Sequence, residues 1–398
     1  MDLKDLGDTT SLRIAYLCDF DPHDRNIYSG GNARMFEALQ SHAESIHVLD
    51  NGWGRLERLN RRIRKLPEAL ELRLRWRTHL AMSPVLARHV ERQLAAGDCN
   101  VLFCAYSFHS LCGVRAPSGM VTAYTTDATP TIYKHSEVGR SFGSFVGASR
   151  LLDPAITRAE RATFRKTDLL LWASEWLHAE ATKLYHLSPD QSRVVNWGAN
   201  IDRPAPETQA LPLARNLPLR LLFVGRDWYA KGGPATVAAL RMLRAQGIDA
   251  RLSVVGTEPP PEDMDPAVDV YRFLDKTDPA QLALFTDLYR QSHFLVMLSF
   301  ESYGFAYCEA SAYGLPSLAL RVAGVPVRDG VNGHSFPVAT DPAALAACIM
   351  SYLADPTRYS ALRRSTRKEY ESRLNWEAWG QRTAGLLRTK LAERRALS

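Results

Sequence analysis

Two acids and two cations are the side chains of this 398-residue sequence whose types and spacing could do chemistry: Glu301 with Glu309, and Arg226 with Lys231. Glu301 falls in a polar turn after the apolar stretch Phe294–Leu298, which reads as a buried strand. Glu309 falls well inside a helix expected from about Gly304 to Tyr313. Gly314 suits the helix stop and Pro316 the next strand, because glycine tolerates left-handed caps and proline cannot continue a helix. Between the acids, Tyr303, Gly304, Phe305 and Ala306 present backbone amides at a helix N-terminus, where unpaired N–H groups and the dipole favour an anion. Gly304 lets a ligand approach the main chain closely. Amides that hold a phosphate, beside carboxylates that hold hydroxyls, describe a nucleotide sugar.

The second pair tells the same story. LRLLFVGRDWYAKGG, from Leu219 to Gly233, reads as a buried strand, a glycine (Gly225), and a loop with Arg226 and Lys231 before a helix. Two such cations can converge on one diphosphate, the arginine as a planar fork and the lysine as a compact charge. Alone, each pair would read as solvated charges; together, with the strand before Glu301 and the RDGVNGHSF turn downstream, they do not.

The E-x7-E spacing, the Gly314-x-Pro316 step and the G-R-x4-K-G loop together resemble the donor-site signature of the retaining GT-B glycosyltransferases of family 4, the glycosyl transferases group 1. Ser302 and Tyr303 stand where many members have a shorter, glycine-rich turn. The resemblance covers most of the chain and is specific from Leu219 to about Pro337; the first half matches by layout. It implies that Glu309 holds the ribose hydroxyls and Glu301 the sugar hydroxyls. Arg226, Lys231 and the Gly304–Ala306 amides take the diphosphate, with Gly225 beside them. It places Gly31, in the first loop, towards the diphosphate and the acceptor, and Leu274 and Lys276 in the loop that contacts the base. Catalytic roles go to Arg226, Lys231 and Glu301, and no metal or other cofactor is required beyond the nucleoside-diphosphate sugar as donor.

Composition is that of a soluble globular protein, with 46% apolar and 23% charged residues. No run of about 18 apolar residues is present, so no transmembrane helix is expected. The N-terminus is polar and acidic, unlike a secretory signal. The six cysteines show no C-x-x-C pair, which favours reduced, buried thiols in a cytoplasm over structural zinc. A net charge of +6 points to an anionic partner. Nucleic acid is not indicated, because no recognition module accompanies the charge.

In the first half, Leu12–Pro22 reads as a buried parallel strand, followed by Ser29-Gly30-Gly31 and a helix start, a geometry that lets phosphate approach. Asp19 and Asp21 spell D-x-D, here taken as a strand-end turn rather than a metal grip. The basic stretch 55–80 has Leu56, Leu59, Ile63 and Leu66 at helical spacing against Arg58, Arg61, Arg62 and Lys65. It suits either contact with an anionic membrane or a solvated helix face. Beyond Pro67, Leu70, Leu72, Leu74 and Trp76 alternate, which fits helix and strand alike. His109 and Asp127 fall in loops at the carboxyl ends of two further strands, where doubly wound sheets bind ligands, and are acceptor-side candidates.

The expected architecture is α/β, GT-B: two Rossmann-like, doubly wound domains facing a cleft. Residues 1–203 form the acceptor-binding domain, 204–218 the linker, 219–372 the nucleotide-sugar domain, and 373–398 a helix that returns to the first domain. The expected activity is retaining transfer of a hexose to a carbohydrate or lipid-linked acceptor, in bacterial polysaccharide or glycolipid synthesis. The expected place is the cytoplasm, peripheral to the inner face of the membrane. Three rivals stay open: an inverting transferase or sugar-nucleotide epimerase on the same fold, a non-catalytic nucleotide-sugar-binding scaffold, and a nicotinamide dehydrogenase. The last lacks G-x-G-x-x-G with its downstream acid.

Overall fold

The structure is a computed structural model that describes residues 11–53, 56–63, 65–66, 68–141, 147–205 and 211–396. Its contacts divide the chain into two units, Met1–Trp197 with Trp376–Ser398, and Gly198–Asn375.

Unit 1 is built on six parallel strands: β1 (Arg13–Leu17), β2 (Ser45–Val48), β3 (Val101–Ala105), β4 (Val121–Thr126), β5 (Leu169–Trp172) and β6 (Ser192–Val194). Their order is β2-β1-β3-β4-β5-β6. The central strands β3, β4 and β5 are buried at every position, as a sheet covered by helices on both faces requires. The last helix, Trp376–Ala396, belongs to this unit. Trp379 meets Phe103 of β3 edge-on at 6.1 Å, and Arg394 pairs with Asp168 at 2.6 Å.

Unit 2 repeats the plan with β7 (Leu219–Val224), β8 (Ala250–Val255), β9 (Val268–Tyr271), β10 (Phe294–Met297), β11 (Ser317–Leu320) and β12 (Gly333–Phe336). All are parallel, in the order β12-β11-β10-β7-β8-β9. In each sheet the first strand lies between its successor and the strand that starts the reverse run: β1 between β2 and β3, β7 between β8 and β10. Loops leaving the carboxyl ends of β1 and β3, or of β7 and β10, therefore diverge and open a crevice at that edge.

Several local expectations change. Beyond residue 67 the alternating leucines belong to one long helix, Glu68–Ala96, with Pro84 inside it. Ile63 is buried against Trp53 and Leu86, whereas Leu56, Leu59 and Leu66 are exposed, so the helix Glu57–Ile63 does not bury the stripe as a whole. Arg55, Arg64 and Pro67 of that basic stretch lie outside the described residues. The glycine that the first loop demands is Gly30, at φ 94°, while Gly31 has ordinary helical angles at the start of the helix Gly31–Gln40. His109 sits in a short helix, Phe108–Leu111, rather than a loop. Part of the expected linker, 206–210, lies outside the described residues, but Leu213 packs in the second core. All six thiols are free, and Cys99, Cys112 and Cys348 are only half-buried. No described helix is long and apolar enough to cross a membrane.

Candidate active site

In unit 2 the apolar run of β10 ends at Met297, and the chain then turns through Ser299 and Glu301 into the helix Phe305–Ala312. Gly304 caps that helix at φ 94°, and a Cβ there would lie 2.7 Å from the Tyr307 ring. The turn is anchored from beneath: Tyr307 donates its hydroxyl to the Met297 carbonyl at 2.7 Å, and Tyr303 is buried. The Phe305 and Ala306 amides thus open a rigid helix start that can receive an anion.

Glu301 in the turn and Glu309 in the helix are each matched by a lysine. The Lys231 ammonium contacts the Glu301 carboxylate, which also accepts from Ser299 Oγ at 2.9 Å. Gly225 makes this possible, since a Cβ there would lie 2.6 Å from Cγ of Lys231. Lys276, on the loop between β9 and the helix Pro279–Gln291, donates to Glu309 Oε1 at 2.7 Å. Tyr289 donates to the other oxygen at 3.2 Å, so the buried Glu309 carboxylate is held at both oxygens. Burial, and then Glu309 beside it, push the Tyr289 phenol well up, which keeps it a donor. The Lys276 ammonium also lies 4.5 Å from the centre of the Phe285 ring. Arg226 is on the same loop as Lys231 but lies over Phe273, 5.6 Å from its centre. Leu274, next to Phe273, is half-buried.

At the matching edge of unit 1 the polar groups form a chain. Asp19, after β1, meets His109 Nε2 at 2.6 Å and accepts from Asn51 Nδ2 at 2.6 Å and from Ser110 Oγ. Burial opposes charge on Asp19, yet the field and hydrogen bond of His109 outweigh it and hold the carboxyl far below the usual range. His79 comes from the long helix, with Nε2 at 3.2 Å from Ser110 Oγ. Asp19, His79 and His109 bring donor atoms within 4.8 Å of one another, which would suit a metal ion. The tautomer argues for a hydrogen-bond relay instead. Trp53 Nε1 donates to His79 Nδ1 at 3.0 Å, so the imidazole proton sits on Nε2 and faces Ser110. Backbone strain collects nearby: Tyr28 (φ 51°) and Ser29 (φ 53°) lie just before Gly30, and Tyr28 stacks at 4.2 Å on Tyr106, itself at φ 66°. Asp127 follows β4 and raises the Tyr106 phenol slightly, after the dominant effect of burial.

Of the residues singled out in the sequence, Lys231 joins Glu301 and Lys276 joins Glu309, at one helix start with Gly304, Phe305 and Ala306. Arg226 lies over Phe273 instead, and Gly31 and Asp127 belong to unit 1. Asn51, His79, Ser110 and Tyr289 are additions of the structure. Asn51 alone had a usable signal, a polar residue just past a strand end.

Residues 218–355 match the family described as Glycosyl transferases group 1. Glycogen synthase of Mycobacterium tuberculosis is 29% identical over 281 residues, 68% of this chain and 65% of that protein. D-inositol 3-phosphate glycosyltransferase 2 of Catenulispora acidiphila is 29% identical over 58% of each chain. The matched stretch thus spans less than two thirds of either relative's length. The crystal structure of WaaG, a glycosyltransferase involved in lipopolysaccharide biosynthesis, shares the fold at a TM-score of 0.56 and 14% identity, over 93% of this chain and 98% of that one. The two doubly wound sheets are those of the GT-B fold, shared with solved glycosyltransferases, and residues 218–355 are similar to the group 1 glycosyltransferases.

Proposed function

We propose that this chain is a retaining, metal-independent hexosyltransferase that moves a sugar from a nucleoside diphosphate to an acceptor hydroxyl in bacterial polysaccharide or glycolipid synthesis. The observation that carries the reading is the pair of contacts Lys231–Glu301 and Lys276–Glu309 at the helix Phe305–Ala312. When the sugar departs, its C1–O bond breaks and the electron pair stays on the diphosphate. Fixed positive groups aimed at that growing charge lower the barrier. Lys231 exchanges Glu301 for phosphate oxygens, Arg226 and the Gly304–Ala306 amides add to it, and Glu301 is released to the sugar hydroxyls. Glu309, steadied by Lys276 and Tyr289, takes the ribose. These cations do the work of a divalent ion. The acceptor hydroxyl attacks C1 on the face the diphosphate leaves, and its proton passes to the departing phosphate oxygen. Glu301 is therefore not a nucleophile of the hydrolase kind.

Similarity to glycogen synthase, to D-inositol 3-phosphate glycosyltransferase 2 and to WaaG, a glycosyltransferase involved in lipopolysaccharide biosynthesis, supports a carbohydrate or lipid-linked acceptor. Exposed Leu56, Leu59 and Leu66 among Arg58, Arg61, Arg62 and Lys65 support contact with an anionic bilayer on the cytoplasmic side. Co-sedimentation with phosphatidylglycerol vesicles, weakened in an Arg61→Glu, Arg62→Glu double variant, checks that contact; equal sedimentation with neutral vesicles removes it.

A panel of UDP-, GDP- and ADP-sugars scored by thermal shift identifies the donor, since a ligand at about 100 times its dissociation constant adds about 2.7 kcal/mol. NMR of the product anomeric centre then reads the stereochemistry. Inversion, or turnover abolished by EDTA, overturns the mechanism, and donor conversion with no acceptor present identifies an epimerase.

A further inference from the structure

Lys231 reaches Glu301 from the loop between β7 and the helix Gly233–Ala245. The amides of that loop close inward. Ala230 N–H donates to Asp227 Oδ1 at 2.9 Å, and Lys231 N–H to the Asp227 carbonyl at 3.2 Å. Gly232 N–H donates to the Tyr229 carbonyl at 3.1 Å, and Gly233 N–H to that of Trp228 at 2.8 Å. Four successive N–H groups are thus committed to residues 227–229. This part of the loop offers a ligand the lysine side chain rather than its main chain.

The loop is hung on Trp228. Its ring is 4% exposed, lies 5.0 Å from the ring of Phe223 in β7, and fills the space that a Cβ on Gly233 would need. Its Nε1 donates to Asp263 Oδ2 at 2.7 Å. Asp263 stands 35 positions further on, in the short turn Pro261–Asp263 of the connection from β8 to β9. That turn is fastened in its own right. Arg241, of the helix Gly233–Ala245, donates to the Glu262 and Met264 carbonyls at 3.2 and 3.1 Å. The Tyr229 hydroxyl also meets Glu262 Oε1 at 3.3 Å, but Tyr229 is 64% exposed, where a hydrogen bond competes with water. Of these two side-chain links between loop and turn, Trp228–Asp263 is the one anchored in the core.

We infer that Asp263 is a positioning residue for Lys231: by holding Trp228 it fixes the loop, and with it the place of the ammonium that meets the diphosphate. That a diphosphate is met there belongs to the proposed function, on which this role rests. A lysine on a loose loop keeps its charge but has to be ordered each time it acts. A loop ordered beforehand leaves the ammonium in place, and fixed charge is what stabilises a leaving anion. Asp263 does this without touching the ligand.

Amide hydrogen exchange and calorimetry with inorganic pyrophosphate, both on the full chain, test the role. Asp263→Ala takes the acceptor from Trp228, Trp228→Phe takes the donor and keeps an aromatic ring, and Asp263→Asn keeps an acceptor oxygen. In the first two variants, exchange at residues 230–233 is expected to rise about tenfold and pyrophosphate affinity to fall about tenfold, a typical effect of one hydrogen bond to a charged group. Asp263→Asn is expected to restore both. Glu262→Ala, next in the chain and on the exposed link, is expected to match the wild type. In a Lys231→Ala background, Asp263→Ala is expected to lower affinity no further, because the group it positions is gone; additive losses overturn the role. Unchanged exchange in both Asp263→Ala and Trp228→Phe overturns the brace. Pyrophosphate binding that needs Lys231 but ignores Asp263→Ala overturns the positioning role and leaves the diphosphate reading standing. A wild-type chain that does not bind pyrophosphate removes the diphosphate reading, and the role of Asp263 with it.

Discussion

At the carboxyl edge of the second sheet each acid has its own lysine, Glu301 with Lys231 and Glu309 with Lys276, beside a helix start. At the same edge of the first sheet Asp19 is held by an imidazole, an amide and a hydroxyl. The cavity beside it is lined by Asp21, Asp50 and Glu57, with no lysine or arginine among its described lining residues. Both edges come from six parallel strands whose order reverses beside the first strand, after the second strand in unit 1 and after the third in unit 2. The fold therefore sets where a ligand can be met, and the loop residues set its charge. Under the proposed function, an anionic donor and a neutral hydroxyl compound are matched to that difference in charge.

The comparison breaks most visibly at Lys231. If unit 2 alone handles the diphosphate, Lys231→Ala lowers kcat about a hundredfold or more, a loss of ~3 kcal/mol in the barrier. The KM for the acceptor should survive unchanged. A matching rise in it would mean that the two edges do not divide the labour.

A second contrast lies in pH. Burial pushes Glu160 of unit 1 up from 4.5 to about 7, despite hydrogen bonds from Thr131. The folded chain then keeps a proton that the unfolded chain releases, so stability is full below pH 4.5 and falls as pH rises through 7. Burial pushes His293 of unit 2 down from 6.5 to about 4. Its Nδ1 accepts from the Arg220 N–H at 3.0 Å, so protonation there sets two donors against each other. Stability is full above pH 6.5 and falls as pH drops towards 4. Each group is worth roughly 3 kcal/mol at its unfavourable end, since one pKa unit is about 1.4 kcal/mol. Denaturant unfolding across the pH range should show Glu160→Gln lifting the alkaline limb and His293→Gln flattening the acid limb. An alkaline limb unmoved by Glu160→Gln would contradict the first assignment.

The smallest effect concerns the helix start. Gly304→Ala forces a side chain into φ 94° and against the Tyr307 ring, and is expected to cost about 1–2 kcal/mol. Nucleotide affinity should weaken with it, read by calorimetry, while the KM for the acceptor stays the same.

The turn that carries Glu301 is legible in the sequence because its parts are contiguous: a strand, two acids and a helix start within sixteen residues, Phe294 to Glu309. The polar chain of unit 1 is not legible that way. Asp19, Asn51, His79 and Ser110 come from four separate segments, and only the parallel pairing of β1 with β2 and β3 brings three of them side by side. Asp19 reads in the sequence as a turn residue next to Asp21; its meaning comes from His109, ninety positions away. Neighbouring glycines carry no label either, so Gly31 stands out in the sequence while the left-handed backbone falls on Gly30. Alternating leucines between 70 and 76 leave helix and strand open in the sequence, and the structure places them in the helix Glu68–Ala96.

The course of the chain through its two units has a consequence for biogenesis. Strands β1 to β6 emerge first from the ribosome, but the segment Trp376–Ala396 that closes over Phe103 is translated after everything in Gly198–Asn375. Unit 2 can mature while unit 1 still waits for the segment Trp376–Ala396, the reverse of the usual vectorial order. A nonsense codon near the 3′ end would accordingly cripple the amino-terminal half and spare the one adjacent to the lesion.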